Sequence, residues 1–134
     1  MILADSNLVI ALLLDHPARE LASRLFLKDA DWHLADWWQI EVANALRNYH
    51  RVGSITMEDS LIAINRALLL FPQQNTHPVD LRETLRVACA SSLSAYDASF
   101  IVLARSFGQK LVTEDTRLRN ACPADTLSRF GTNA

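Results

Sequence analysis

Glycine, proline and cysteine are scarce: the 134 residues hold 3 Gly, 4 Pro and 2 Cys. So little turn-forming residue, with half the chain hydrophobic, excludes a disordered segment and a loop-rich disulfide scaffold, and favours a helix-rich globule. Cys89 and Cys122 stand 33 positions apart, with no Cys-x-x-Cys spacing or nearby His pattern. Neither a zinc site nor a disulfide framework is expected, and both read as reduced thiols of a cytoplasmic protein. Charge of one sign is lacking too. A formal net charge of -2 gives no general affinity for polyanions, so a nucleic-acid partner would need a local patch or bridging metal ions. The apolar run Leu8 to Leu14 is short and follows Asp5 instead of basic residues, which fits neither a signal peptide nor a membrane span.

What the sequence does have is apolar segments punctuated by acids. Met1 to Ala4 predicts a buried strand that turns at Asp5-Ser6-Asn7 into a helix over Ser6 to Leu14, stopped by His16-Pro17. A second helix is expected from Pro17 to Lys28 with Leu21, Ala22 and Leu25 inward, then a strand over Trp32 to Ala35. From Trp38 to Val52 the spacing of Ile40, Ala43, Ala45, Leu46 and Tyr49 predicts a helix closed by Gly53, with Asp36 placed to cap it. Thr56 starts a helix through Leu61, Ile64, Leu68 and Leu69 to Phe71. Gln73 to His77 has room for a short edge strand, and Asp80 to Ala90 reads as a helix with Leu81, Leu85 and Ala88 inward. Ser94 opens an apolar helix that ends at Gly108, burying Ala98, Ile101, Val102 and Leu103, with Tyr96 in the core. A strand over Lys110 to Thr113, a helix over Thr116 to Asn120 and a strand at Thr126-Leu127 complete the chain. Strands alternating with helices imply one domain over residues 1–134 of α/β class, a three-layer α/β/α sandwich around a mainly parallel sheet.

Four acids stand out by position. Asp5 and Asp115 follow strands and so lie on the carboxyl rim of the sheet, where α/β proteins collect ligands. Asp97 falls in the first turn of the Ser94 helix, and Glu41 interrupts an apolar helix with Asn44 on the same face. Helix capping explains Asp5, Asp97 and Asp115 one at a time, since acids favour helix N-termini; Glu41 is not so explained. If the four converge within about 5 Å, each pair repels by roughly 3 kcal/mol at an effective dielectric near 20. A hard divalent cation with oxygen ligands would relieve this. Trp32, Trp37 and Trp38 could stack on bases but suit core or dimer packing better. Arg47, His50 and Arg51 could touch phosphates, or simply form a solvated face.

The pieces Ile2-Leu3-Ala4-Asp5-Ser6-Asn7, Glu41-Val42-Ala43-Asn44-Ala45-Leu46, Leu93-Ser94-Ala95-Tyr96-Asp97-Ala98 and Leu111-Val112-Thr113-Glu114-Asp115 resemble, in order and spacing, the motifs of PIN-domain nucleases. Within that family the chain resembles the VapC-type ribonuclease toxins of toxin-antitoxin pairs, over about residues 1 to 120. The resemblance implies a PIN-like fold and a Mg²⁺- or Mn²⁺-dependent endoribonuclease. Its acidic pocket would comprise Asp5, Glu41, Asp97 and Asp115, the Asp residues acting as metal ligands, with Ser6, Asn7, Asn44 and Thr113 in support and Arg47 and Arg51 within reach of RNA. It also implies a cytoplasmic homodimer, with no membrane association, paired with a small DNA-binding antitoxin of VapB type. Arg119 and Asn120 stand where a further acid would be sought. Two other readings remain open: a PIN fold kept for binding without catalysis, and a receiver-like phosphoacceptor domain, which would want a Lys where Glu114-Asp115 follow Thr113.

Overall fold

A computed structural model describes residues 1–129; the part of the expected domain at 130–134 lies outside the described residues. The strands are β1 (Ile2–Ala4), β2 (Trp32–Ala35), β3 (Thr76–His77), β4 (Leu111–Val112) and β5 (Thr126–Leu127). All pair in parallel, in the order β3-β2-β1-β4-β5. Every residue of β1 is buried, as a parallel strand covered on both faces requires. The helices are α1 (Ser6–Leu13), α2 (Arg19–Lys28), α3 (Trp38–Arg51), α4 (Met57–Leu70), α5 (Leu81–Ser91), α6 (Ala95–Ser106) and α7 (Thr116–Ala121). Against β1, β2 and β4 lies α6, which also packs on α5, while α1 gathers α2, α3 and α4 around itself. This is the expected α/β sandwich. Among the described residues, no single helix is long and apolar enough to cross a membrane.

Local chemistry explains most boundaries. Side chains of Thr56, Asp80 and Ser94 accept backbone N–H groups at the starts of α4, α5 and α6. Gly53, at φ +79°, ends α3 in a left-handed turn that lets Ser54 N–H reach Tyr49 O at 2.9 Å. The second helix starts at Arg19 instead of Pro17, because His16 Nδ1 takes the Ala18 N–H at 3.0 Å and holds residues 16–18 in a turn. Asp36 does not cap α3: its N–H bonds His77 O at 2.8 Å, and α3 begins without a side-chain cap.

Several inward faces differ from expectation in phase. In α3 the buried stripe is Trp38, Val42 and Leu46, while Ile40 is exposed. The sequence offers two stripes on this helix, and the larger ring takes the core, where Trp38 meets Phe71 edge-on at 5.5 Å. In α5, Thr84 hydroxyl donates to Asp80 O at 2.7 Å and turns inward with Val87 and Ala88. Leu81 and Leu85 are left 80% and 63% exposed. Leu21 is exposed and Leu25 half-buried, leaving Ala22 as the fully buried residue of α2. Residues Leu61, Leu68 and Leu69 of α4 are exposed as well, and its inward side is Ser60, Ala63 and Ala67. Tyr96 is exposed, its ring edge-on to Trp37 at 5.1 Å.

These assignments predict contrasting costs. Truncating Ile101, wholly buried in α6, to Ala should destabilise by about 2–5 kcal/mol, whereas Leu27→Ala, at a position 85% exposed, should change stability by less than about 0.5 kcal/mol. Urea unfolding of both variants checks the difference.

Candidate active site

The strand order reverses between β1 and β4, so the carboxyl ends of these two strands open the crevice where α/β sheets place ligands. One cavity of about 270 Å³ lies there, and Asp5, Glu41, Asp97 and Asp115 all line it, with Ser6, Asn7 and Asn44. Asp5 enters from the end of β1, Glu41 from the first turn of α3, Asp97 from the first turn of α6 and Asp115 from the loop after β4. Thr113 sits beneath, fully buried; its hydroxyl donates to Asp5 Oδ2 and accepts the Asp115 N–H at 3.1 Å. Ser6 hydroxyl donates to Glu41 Oε2.

Asp5 and Asp115 each serve two purposes. Asp5 Oδ1 accepts Leu8 N–H at 3.1 Å and caps α1, and Asp115 Oδ1 accepts the N–H groups of Arg117 and Leu118 at 2.9 and 3.3 Å, capping α7. Capping and pocket formation are therefore not rival explanations for these two acids.

The sequence reading missed Arg117. This residue, on the first turn of α7, bonds Asp97 Oδ2 through Nη2 at 2.6 Å and lies 3.9 Å from Asp115 Oδ2. A signal existed, a cation two residues past the last acid, but its helical phase decides whether it turns in. The expected RNA contacts Arg47 and Arg51 do not line the cavity; both are exposed on α3, where Arg47 bonds Asn48 Oδ1 at 3.3 Å. Asn7 and Asn44 line the cavity without bonding the acids.

Burial dominates the electrostatics. It pushes the Asp5 carboxyl from 3.8 up to about 6, against the opposing bonds from Thr113 and Leu8 and with a further push from the charges of Asp115 and Asp97. Burial likewise pushes Glu41 from 4.5 to about 7, helped by Asp97 and Asp5. Asp97 is raised by burial, then partly restored by Arg117. Mutual repulsion thus raises these carboxyls as expected, but it is second to desolvation. Among the described residues, no three acids converge closely enough as they stand to hold a metal ion; Glu41 is bonded by Ser6 and Asp97 by Arg117. The donor chemistry nonetheless fits a hard cation: beside Arg117 the cavity presents four carboxyl groups as oxygen ligands, two of them raised by burial.

The chain belongs to the PIN domain family, whose model matches residues 2–122. Its relatives are VapC proteins. A protein described as ribonuclease VapC3, from Pyrobaculum aerophilum, is 26% identical over 125 residues, spanning 92% of this chain and 95% of its own length. Another from the same organism, described as exonuclease VapC9, is 36% identical over 78 residues, covering 58% of this chain and 57% of its own. The crystal structure of PAE2754 from Pyrobaculum aerophilum superposes with a TM-score of 0.72 at 25% identity, over 92% of this chain and 80% of that one.

The raised carboxyls give a pH dependence of definite sign. An acid whose pKa is higher folded than unfolded keeps its proton in the folded state, so the metal-free protein should lose stability as pH climbs from about 4 to about 6 through Asp5, and on to about 7 through Glu41. For Asp5 alone the rise from 3.8 to about 6 corresponds to roughly 3 kcal/mol. Asp5→Asn keeps a capping residue and removes the charge. It should raise metal-free stability at pH 7 by about 1–2 kcal/mol, one weakened charge-assisted bond offsetting part of the gain. Urea melts across pH 4–8 test this; a native-sequence protein that gains stability through that window would mean that Asp5 is held ionised.

Proposed function

We propose that the protein is a Mg²⁺- or Mn²⁺-dependent endoribonuclease, a single PIN domain over residues 1–134 that acts as the toxin of a type II toxin-antitoxin pair in the cytoplasm. The observation that carries this reading is the one cavity lined by Asp5, Glu41, Asp97 and Asp115 at the sheet's switch point, in a chain similar to a ribonuclease along 95% of the latter's length. Asp5, Asp97 and Asp115 would hold the metal, which when bound supplies an activated water and a positive charge for phosphodiester hydrolysis. Thr113 orients the Asp5 carboxylate and Ser6 orients Glu41. Glu41, poised at about 7, suits proton transfer from the attacking water. Attack at phosphorus breaks the P–O3′ bond, and the departing 3′ oxygen takes up a proton, leaving a 5′-phosphate and a 3′-hydroxyl. Arg117, 69% exposed at the rim, pairs with Asp97 when no metal is present and offers a guanidinium to the phosphate.

The receiver-like alternative finds no support, since the position after Thr113 that it needs as Lys is Glu114. Binding without catalysis stays distinguishable by experiment. Purified protein should cleave single-stranded RNA in Mn²⁺ and stop in EDTA, and Asp97→Asn should lower the rate at least about a hundredfold with unchanged circular dichroism. Uncut RNA under all conditions would favour the binding module. A circular RNA separates internal cleavage from the exonuclease activity named for one relative: linearisation supports the endonuclease. Mn²⁺ at a hundred times its dissociation constant should stabilise the fold by roughly 2.7 kcal/mol, and Arg117→Ala should tighten Mn²⁺ binding severalfold by removing a competing cation.

Exposed apolar side chains support the proposed partners. Leu68 and Leu69 of α4 with Leu81 and Leu85 of α5 supply surface of the kind that protein interfaces cover, which supports a homodimer and an antitoxin of VapB type. Such an antitoxin can present an Arg to the acidic pocket. If the homodimer uses α5, Leu81→Glu with Leu85→Glu should yield a monomer by light scattering while the fold persists; an unchanged dimer would exclude that face.

A further inference from the structure

Beside the acidic cavity lies a second one of about 430 Å³, between α1, α3 and the turn at His16. Asp5, Asn7, Ala45, Asn48 and Asp115 line both, so the two are continuous. Leu8, Ile10, Ala11 and Tyr49 are on its lining. Two polar groups in it have their hydrogen-bonding sense preset. His16 Nδ1 accepts the Ala18 N–H at 3.0 Å, so in the neutral ring Nε2 carries the proton and donates. Asn48 Oδ1 takes Arg47 Nη1 at 3.3 Å, leaving its NH₂ as a donor. The carboxyl-bearing side chains on the lining are Asp5, Glu114 and Asp115, and no Lys or Arg lines it among the described residues. It therefore suits a flat, neutral group with an acceptor edge and repels a phosphate.

We propose that this cavity is a subsite for one unpaired nucleobase on the nucleotide adjoining the scissile phosphate, and that it selects a keto base, guanine or uracil, over adenine or cytosine. The inference rests on the ribonuclease reading, which seats the phosphate over the adjacent acids. The base would stack on Tyr49, while His16 Nε2 and the Asn48 amide donate to its carbonyl; amino-bearing edges would set donor against donor. A pocket of a few hundred cubic ångströms with apolar walls and few directed polar groups is the general form of a small-ligand site.

The test is cleavage of a randomised single-stranded RNA in Mn²⁺, read by end sequencing, with His16→Ala and Asn48→Ala beside the native sequence. A keto preference is expected at one position next to the cut. Each substitution should reduce it about tenfold, the worth of one hydrogen bond, and raise KM, while the Mn²⁺-induced melting shift persists. Asn48 is exposed on α3, so its variant covers the case in which His16→Ala loosens the turn. In parallel, quenching of a fluorescent guanine analogue that keeps the C6 carbonyl, placed at successive positions of short RNAs, is followed with Asp97→Asn protein, which separates binding from cleavage. Cleavage whose base preference and KM neither substitution alters overturns the subsite and leaves the nuclease standing. Position-specific quenching without cleavage by the native sequence upholds the subsite and removes the nuclease. RNA neither cut nor bound overturns both, and displacement of a basic peptide only, with no response to RNA, assigns the cavity to a protein partner.

Discussion

Everything in the upper half of the molecule answers to one cost, that of taking carboxylates out of water. Asp5 is 3% exposed at the end of a fully buried strand, and an isolated charge there would be expensive. The neighbourhood is arranged to lessen that cost. Thr113 and the α1 N-terminus donate to Asp5, Ser6 donates to Glu41, Arg117 pairs with Asp97, and two backbone N–H groups of α7 meet Asp115. The compensation is partial, as the raised carboxyls of Asp5 and Glu41 record. Under the proposed function, a divalent cation would offset the rest of this cost.

The fold was legible because its signals are local and agree with one another. Breaks at Asp5-Ser6, Gly53 and Ser94 sit where elements begin or end, and His16-Pro17 falls in the turn between α1 and α2; a difference of one or two residues at a helix end carries no weight. The inward faces of α3 and α5 were not legible, because apolar periodicity supplies a stripe without its phase when two stripes compete. Trp38 against Phe71 settles one helix and the Asp80–Thr84 bond the other. Neither is a property of sequence spacing. Tyr96 escaped for a related reason: Trp37 leaves it a neighbour to lean on but no room inside.

The four acids were readable through their borders with buried segments and through family resemblance, and they do line one cavity. Their partners were less so. Thr113 and Ser6 lie next to motif acids and were found, whereas Arg117 depends on the direction in which a six-residue helix leaves the sheet. The basic residues of α3 lie off the cavity for the converse reason, since proximity in sequence to Glu41 says nothing about which side of a helix Arg47 and Arg51 occupy. Charge on a helix becomes informative only once the buried stripe is known.

The bond from Thr113 to Asp5 joins residues 108 positions apart, and it can form only after β4 has taken its place beside β1. During synthesis the first acid of the pocket emerges early and waits for most of the chain before its partner is made. Until then α1 can fold and Asp5 can cap it, but the crevice has no second wall and Asp115 does not yet exist to face it. Until β4 is in place the chain thus carries Asp5, Glu41 and Asp97 without a site, and the pocket is complete only when the fourth strand lies beside the first.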